Sequence, residues 1–511
     1  FFFRVKSCPF DLHAMKHFWF ALALLLPVAA IFTTLMSKSA QRVIVVGGGL
    51  AGLSAVHTIL EAGGNVVLVE KEDKLGGNSM KASSGINSAG SHVQQAQGVS
   101  DTVQVHEADT MRSGTGEPLP VWDTVATLSA NSASALDWLT KHFGVDLSVL
   151  SQCGGHSHAR THRPLKAPAG AAIMSTLIKK LEDHPADRLQ ILTGTTMTQL
   201  LARHGTVVGI EVRLPDGHVE ELKGVVVLAT GGYANDRSTS SLLQQYVPHL
   251  ADLPTTNGPW AQGEGVKAAI AIGAAAVDMD KVQVHPTGFV DPAHPEDKTK
   301  FLCGEALRGE GGLILNAQGR RFTNELGLRE EVTAAMDQQL GKRYLVLNAK
   351  AAGKLEMHVK FYTFKKLLTA YSNGEALATA LGVPAETLRQ EWTAYNSAAE
   401  AGVDAFGKTR FPNAPIEMDE AFYAGEIVPV LHYTMGGIAL NTEAQLLRDV
   451  SSGGREPIPG LYGAGEVTGG VHGKNRLAGN SLLECVVYGR VAGRNAWAEA
   501  ANIWNALRRF G

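Results

Sequence analysis

Val43-Ile44-Val45-Val46-Gly47-Gly48-Gly49-Leu50-Ala51-Gly52-Leu53, followed by Val66-Val67-Leu68-Val69-Glu70, is the stretch on which the fold of this chain is decided. Four apolar β-formers run into Gly47-x-Gly49-x-x-Gly52, a helix-compatible segment continues through Leu60, and a second apolar strand delivers an acid at its carboxyl end. The first glycine permits the tight turn, the second lets backbone N–H groups approach a pyrophosphate, and the third allows close helix-on-strand packing. Glu70 is then placed to take ribose hydroxyls. In a chain with 56 glycines such a triplet is weak by itself. With its strand, helix, second strand and acid it predicts a dinucleotide site.

Working outward, the 511 residues are 45% hydrophobic and 19% charged, an ordinary globular composition with room for two or three cores. A net charge of −3, with no basic stripe interleaved with aromatics, gives no reason to expect nucleic acid. Cys8, Cys153, Cys303 and Cys485 stand far apart and form no CxxC or CxxCH, which argues against a metal knuckle, a c-type haem and a disulfide scaffold. From Phe18 to Met36 the chain is apolar and uncharged, with Lys6, Lys16 and His17 before it and Pro27 inside it. Such a run can just span a bilayer. It reads as a signal or signal-anchor over residues 1–38, with Met15 a plausible start and a possible membrane tether, for the endoplasmic reticulum or the mitochondrion. The body beyond Ser37 is expected to be soluble.

No internal repeat or low-complexity tract interrupts the rest. Helical stretches continue to about Phe143, and Gly224-Val-Val-Val-Leu-Ala-Thr-Gly-Gly-Tyr233 reads as a strand returning to the dinucleotide sheet. After Met279 the texture changes to scattered prolines, aromatics and charged helices through Val430. Gly460-Leu-Tyr-Gly-Ala-Gly-Glu466 then restores the first style, and a last helix starts near Asn480. The expected architecture is therefore α/β, a discontinuous Rossmann-like cofactor domain (residues 39–280 and 433–511) with an inserted α+β capping, or clamp, domain (281–432). Ligands would sit between the two.

Gly76-Gly-Asn-Ser-Met-Lys-Ala-Ser-Ser-Gly-Ile-Asn87, Thr255-Thr-Asn-Gly258, Gln283-Val-His-Pro-Thr287, Gly304-Glu-Ala-Leu-Arg308, Arg320-Arg-Phe-Thr-Asn-Glu-Leu-Gly-Leu-Arg329, His432-Tyr-Thr-Met-Gly-Gly437 and Gly470-Val-His-Gly-Lys-Asn-Arg-Leu-Ala-Gly-Asn480 occur in that order. Together they resemble the soluble, single-chain fumarate reductase flavoproteins of the fungal type, a family that also includes the flavoprotein subunits of succinate dehydrogenase. The resemblance covers about Gln41 to Asn495. It implies FAD as cofactor, with Gly47, Gly49, Ala51 and Gly52 at the pyrophosphate, Glu70 and Lys71 near the adenosine ribose, and Met197 at adenine. Asn78, Ser79, Ser83, Ser84 and Gly85 would meet the isoalloxazine and its chain. Thr230, Gly231, Glu264, Glu466, Ser481 and Leu482 complete the implied set. Asn78 stands where respiratory members carry the histidine that bonds covalently to FAD, so non-covalent flavin is expected. Without haem or iron–sulfur motifs, electrons would come from an external donor, a reduced flavin or a protein; no second dinucleotide fingerprint points to direct NADH use.

The implied reaction reduces fumarate to succinate, with a hydride from reduced flavin and a proton from Arg329, reprotonated through Glu305 and Arg308. A dicarboxylate demands cationic or donor groups at both ends of a small pocket. By family position these are Gln283, His285, Gly304, His432, Arg476 and the backbone at Gly479. Gly304 replaces a frequent threonine, which is expected to weaken one substrate hydrogen bond. An arginine acid is unusual, because a guanidinium holds its proton more tightly than any other side chain. That role comes from the resemblance alone. Other readings stay open: a urocanate-type reductase or an aspartate oxidase on the same fold, or a non-catalytic, membrane-tethered flavin-binding protein, which would have no use for a proton relay.

Blander expectations attach to neighbouring residues. Arg320 and Arg321 read as surface or interdomain ion-pair residues. His156, His158 and His162 read as a loop packed near the flavin, and no metal site is expected because no carboxylate or cysteine accompanies them at ligand spacing. His472 and Lys474 read as loop supports, and Tyr433 competes with His432 for the position facing substrate.

Overall fold

The computed structural model describes residues 42–117, 120 and 122–510. The apolar run Phe18–Met36, and with it the signal-anchor reading of residues 1–38, lies outside the described residues. Among the described residues no helix is long and apolar enough to cross a membrane.

Val43–Val46 is the centre of a six-stranded sheet, and it is fully buried as expected for a parallel strand covered on both faces. Across the sheet the order is Gln445–Asp449, Arg455–Gly463, Val225–Leu228, Val43–Val46, Val66–Val69 and Leu189–Leu192. The pairs around the centre are parallel, with Val43 opposite both Val225 and Val66. Only the edge strand Gln445–Asp449 runs antiparallel to its neighbour. This sheet is assembled from segments hundreds of residues apart, so the cofactor domain is discontinuous. The helix Leu50–Glu61 lies against the final helix, Asn480–Phe510. Glycine makes that contact close: a Cβ at Gly489 would stand 2.5 Å from Ala51 O, and one at Gly493 2.6 Å from Ala55 O.

Between these segments a second sheet is built within residues 282–434. Val282–Phe289 and Phe422–Thr434 pair antiparallel at its middle, flanked by Phe301–Leu302 on one side and by Arg343–Asn348 and Leu313–Leu315 on the other. Helices Arg329–Asp337, Ala349–Lys354 and Glu356–Phe364 pack on it around Ile314, Leu345, Leu347 and Ile427. A separate apolar cluster holds Trp392 stacked on Phe422 at 5.8 Å. The molecule is thus an α/β, Rossmann-like domain carrying an inserted α+β cap. The strand Val282–Phe289 begins where the chain leaves the first domain, so its side chains stand at the seam.

Candidate active site

The turn after the first strand is shaped by contact. Gly47 sits at φ +110°, where an L side chain is strained, and its Cβ would fall 2.3 Å from Ala229 O. A Cβ at Gly52 would be 1.8 Å from Gly47 O, so only glycine lets the helix start this close to the strand. Glu70, at the end of the second strand, takes the Gly48 N–H at 2.7 Å and the Glu72 N–H at 2.9 Å. The Leu50 N–H donates to Ser79 Oγ at 3.1 Å.

A cleft of about 910 Å³ opens over this turn. Of the residues assigned to cofactor from sequence, Gly47, Gly49, Ala51, Glu70, Lys71, Asn78, Ser79, Met197, Thr230, Gly231, Glu264 and Glu466 line it. Gly52 lies beneath the turn, and Ser83, Ser84, Gly85, Ser481 and Leu482 lie outside the lining. Trp260 and Cys485 line it as well, and sequence reasoning passed over both. Their signals were present, since Trp260 follows Thr255–Gly258 by two residues and Cys485 is one turn of helix beyond Leu482. Thr230 Oγ1 and Trp260 Nε1 are buried here without hydrogen-bond partners among the described residues, and Lys71 is ion-paired to Glu264. Orphaned donors, a helix N-terminus and a glycine-lined approach to backbone N–H groups fit a dinucleotide. Asn78 is tied to the Thr255–Gly258 loop: its Nδ2 donates to Asn257 Oδ1 and its Oδ1 accepts the Gly258 N–H at 3.0 Å.

A second cluster lies at the seam of the domains. The strand Val282–Phe289 supplies Gln283 and His285, the helix Glu305–Gly309 supplies Glu305 and Arg308, the next cap helix begins with Arg329, and the loop before the last helix supplies Arg476. Arg329 donates from Nε to Glu305 Oε2 at 2.7 Å and from Nη1 to Gln283 Oε1 at 2.6 Å. Arg476 Nη2 reaches the same Gln283 oxygen at 3.2 Å, and Gln283 Nε2 donates back to Asn475 Oδ1 and Arg476 O. Glu305 Oε2 also lies 3.5 Å from Arg308 Nη2, so one carboxylate bridges two guanidinium groups. Burial alone would raise the Glu305 pKa, but Arg329 and Arg308 outweigh it and hold it at about 2.

The imidazoles are neutral for the opposite reason. Burial, reinforced by Arg329, pushes His285 and His432 well below their ordinary range. Their rings lie 5.1 Å apart. His285 Nδ1 meets both the N–H and the carbonyl of Thr287 at 3.2 Å, and its Nε2 is buried without a hydrogen-bond partner among the described residues. Thr256 Oγ1 holds His432 Nδ1 at 2.7 Å. Tyr433 is committed elsewhere: its hydroxyl donates to Glu484 Oε2 at 2.5 Å, and its ring lies 4.4 Å below the Arg476 guanidinium. Burial, with Arg329 nearby, brings Arg476 down to about 10. Gly479, at φ +84°, packs against Asn87, and Gly304 caps the helix that carries Glu305. Three guanidinium groups, one carboxylate and two neutral imidazoles leave a site with surplus positive charge.

Several neighbouring residues sit differently from their sequence reading. Arg320 is half-buried and pairs with Glu391. Arg321, however, is neither at the surface nor between domains: it is buried in the cap, bidentate to Glu325 and bonded to Asp404. Its planar fork matches the carboxylate, and it lies over the faces of Tyr395 and Phe406, which makes burial tolerable. His156 bonds Ala478 O while His162 bonds Ser91 Oγ, so the histidines of that loop do not converge. Among the described residues no group of three His, Cys, Asp or Glu could hold a metal. His472 bonds Glu484 Oε2 at 2.9 Å as a loop support, and Lys474 lies half exposed beside Glu330.

Comparison with known proteins bears on both clusters. The family model described as FAD binding domain matches residues 42–482. A fumarate reductase of Schizosaccharomyces pombe is 45% identical, over 94% of each chain. Fumarate reductase 1 of Saccharomyces cerevisiae is 37% identical, over 89% of this chain and 98% of its own. Among solved structures, the open conformation of a flavocytochrome c3 fumarate reductase superposes with a TM-score of 0.70 at 34% identity, covering 90% of this chain and 78% of that one.

Proposed function

The chain belongs to the FAD binding domain family that includes the fungal fumarate reductases, and on that premise we propose that it is an FAD-dependent fumarate reductase, converting fumarate to succinate. The observation that carries the substrate class is the seam cluster: three buried guanidinium groups against one carboxylate, with the imidazoles neutral, complement a small dianion. Bound FAD supplies the hydride. Gly47, Gly49, Ala51, Glu70, Lys71 and Glu264 would hold it in the cleft.

The protein's own residues orient the alkene and deliver a proton. Arg476, fixed by the Tyr433 face and by Gln283, takes one carboxylate, and His285, in the tautomer that protonates its unpartnered Nε2, donates to the other. Glu305 and Gln283 engage Nε and Nη1 of Arg329, while no hydrogen bond among the described residues engages its Nη2. That N–H is the proton donor. An acid this weak transfers only to a carbon that has become strongly basic, so proton transfer follows charge build-up on the alkene. Glu305, touching Arg329 and Arg308 together, returns a proton from the Arg308 side.

Flavin is held without a covalent link, because the Asn78 amide has no nucleophilic nitrogen and is already bonded to Asn257 and Gly258. Acid precipitation is therefore expected to leave yellow flavin in the supernatant; flavin remaining on the pellet would mean a bond through another residue. Electrons reach the flavin from an external reduced flavin or a protein.

The substrate is tested by photoreducing the enzyme without oxygen and mixing it separately with fumarate and urocanate, and by mixing the oxidised enzyme with aspartate. Fumarate is expected to reoxidise the flavin at least a hundred-fold faster than urocanate, whose single carboxylate leaves one buried cation unmatched. Faster oxidation by urocanate would overturn the dicarboxylate reading.

A further inference from the structure

Beside the seam cluster lies a hydroxyl with nothing to bond. Ser83 is 9% exposed, and its Oγ is buried without a hydrogen-bond partner among the described residues. It faces Gly304, where a Cβ would stand 2.7 Å from Ser83 Oγ and 3.4 Å from Tyr362 Oη. Gly304 immediately precedes Glu305, whose Oε2 lies 3.8 Å from His285 Nε2, which is likewise buried without a hydrogen-bond partner among the described residues.

Of the two hydroxyls at this point, Tyr362 has spent its proton. It donates to Leu302 O at 2.8 Å and accepts the Gly304 N–H at 3.2 Å. Ser83 lies close enough to bias that phenol, yet no hydrogen bond of proper geometry joins them, so its proton stays free. A buried hydroxyl is costly to leave unpaired, and a carboxylate is the strongest partner it can meet. We infer that Ser83 Oγ–H is a substrate-binding group that donates to the same fumarate carboxylate as His285 Nε2–H, with Gly304 leaving the room for it. The inference rests on the fumarate reductase reading and departs from the sequence-based assignment of Ser83 to the cofactor. Ser83 is absent from the lining of the dinucleotide cleft, in keeping with the change of partner.

The test is Ser83→Ala in the flavin-loaded enzyme, assayed beside wild type with saturating reduced donor. KM for fumarate is expected to rise roughly ten- to a hundred-fold, the range for one hydrogen bond to a charged group. The Kd of succinate, read from the flavin absorbance, is expected to rise by a similar factor, because the carboxylate is present in substrate and product alike. kcat stays within about three-fold, as for lost uniform binding, and flavin content is unchanged. Adding Gly304→Ser to Ser83→Ala returns a hydroxyl to the vacated space and is expected to recover most of the affinity. Unchanged KM and Kd in Ser83→Ala, or loss of flavin with normal KM in the loaded fraction, overturns the inference. Wild-type enzyme that ignores fumarate would instead sink the function beneath it.

Discussion

Arg329→Ala is expected to lower kcat for fumarate by at least three orders of magnitude, about 4 kcal/mol of barrier, while flavin content stays normal. Arg329 has two of its donor nitrogens held by Glu305 and Gln283, so the side chain is fixed, and truncation removes the group nearest the reacting carbon in the proposed mechanism. The flavin cleft does not include Arg329, which is why cofactor retention separates a chemical loss from a folding loss. Arg329→Lys is expected to recover a small part of the rate, since an ammonium can donate but cannot satisfy Glu305 and Gln283 with one planar fork. Rates must be measured with saturating reduced donor. A kcat within ten-fold of wild type in the alanine variant would remove Arg329 from proton delivery.

Glu325→Ala is expected to destabilise the cap by about 3–5 kcal/mol, the range for breaking a buried ion pair by removing one partner. Glu325 is fully buried and takes Arg321 on both oxygens and Lys408 at 2.7 Å. Without it the Lys408 ammonium, fully buried, has no carboxylate in ion-pair contact among the described residues, and Arg321 retains Asp404. Acid stability follows the same group. Burial would raise the Glu325 pKa, but Lys408 and Arg321 hold it down to about 2, below the ordinary 4.5. A depressed carboxylate pKa contributes stability that is complete above about pH 4.5 and is lost as pH falls towards 2, about 3 kcal/mol in all. Denaturant unfolding of wild type and variant across that window is expected to show wild type losing this increment and the variant showing a flatter acid limb. Parallel acid limbs would show that Glu325 does not couple protonation to folding.

The cofactor half of the molecule was legible because its signals are local. Gly47, Gly49 and Gly52 fall within one short turn of sequence, the strand at 225–228 announced itself by an apolar run ending in glycine, and Gly460–Glu466 marked the end of the strand at 455–463. Trp260 and Cys485 were passed over because neither residue type carries a phosphate or ribose signature. Arg321 was misread for a different reason. Its second carboxylate, Asp404, is 83 residues away, and no spacing rule reports such a pair.

By itself, then, the sequence determined the α/β class, the dinucleotide turn and, through ordered motifs, the family and the set of polar residues available for chemistry. Only the tertiary structure decided which of those residues meet. It joins Gln283 to Arg329 and Arg476 across 46 and 193 positions, commits Tyr433 to Glu484 rather than to the site, and turns the free hydroxyl of Ser83 towards Gly304. The physical reason is that backbone conformation follows from neighbours along the chain, whereas the charge state and hydrogen-bonding partners of a buried side chain follow from whatever the fold packs against it.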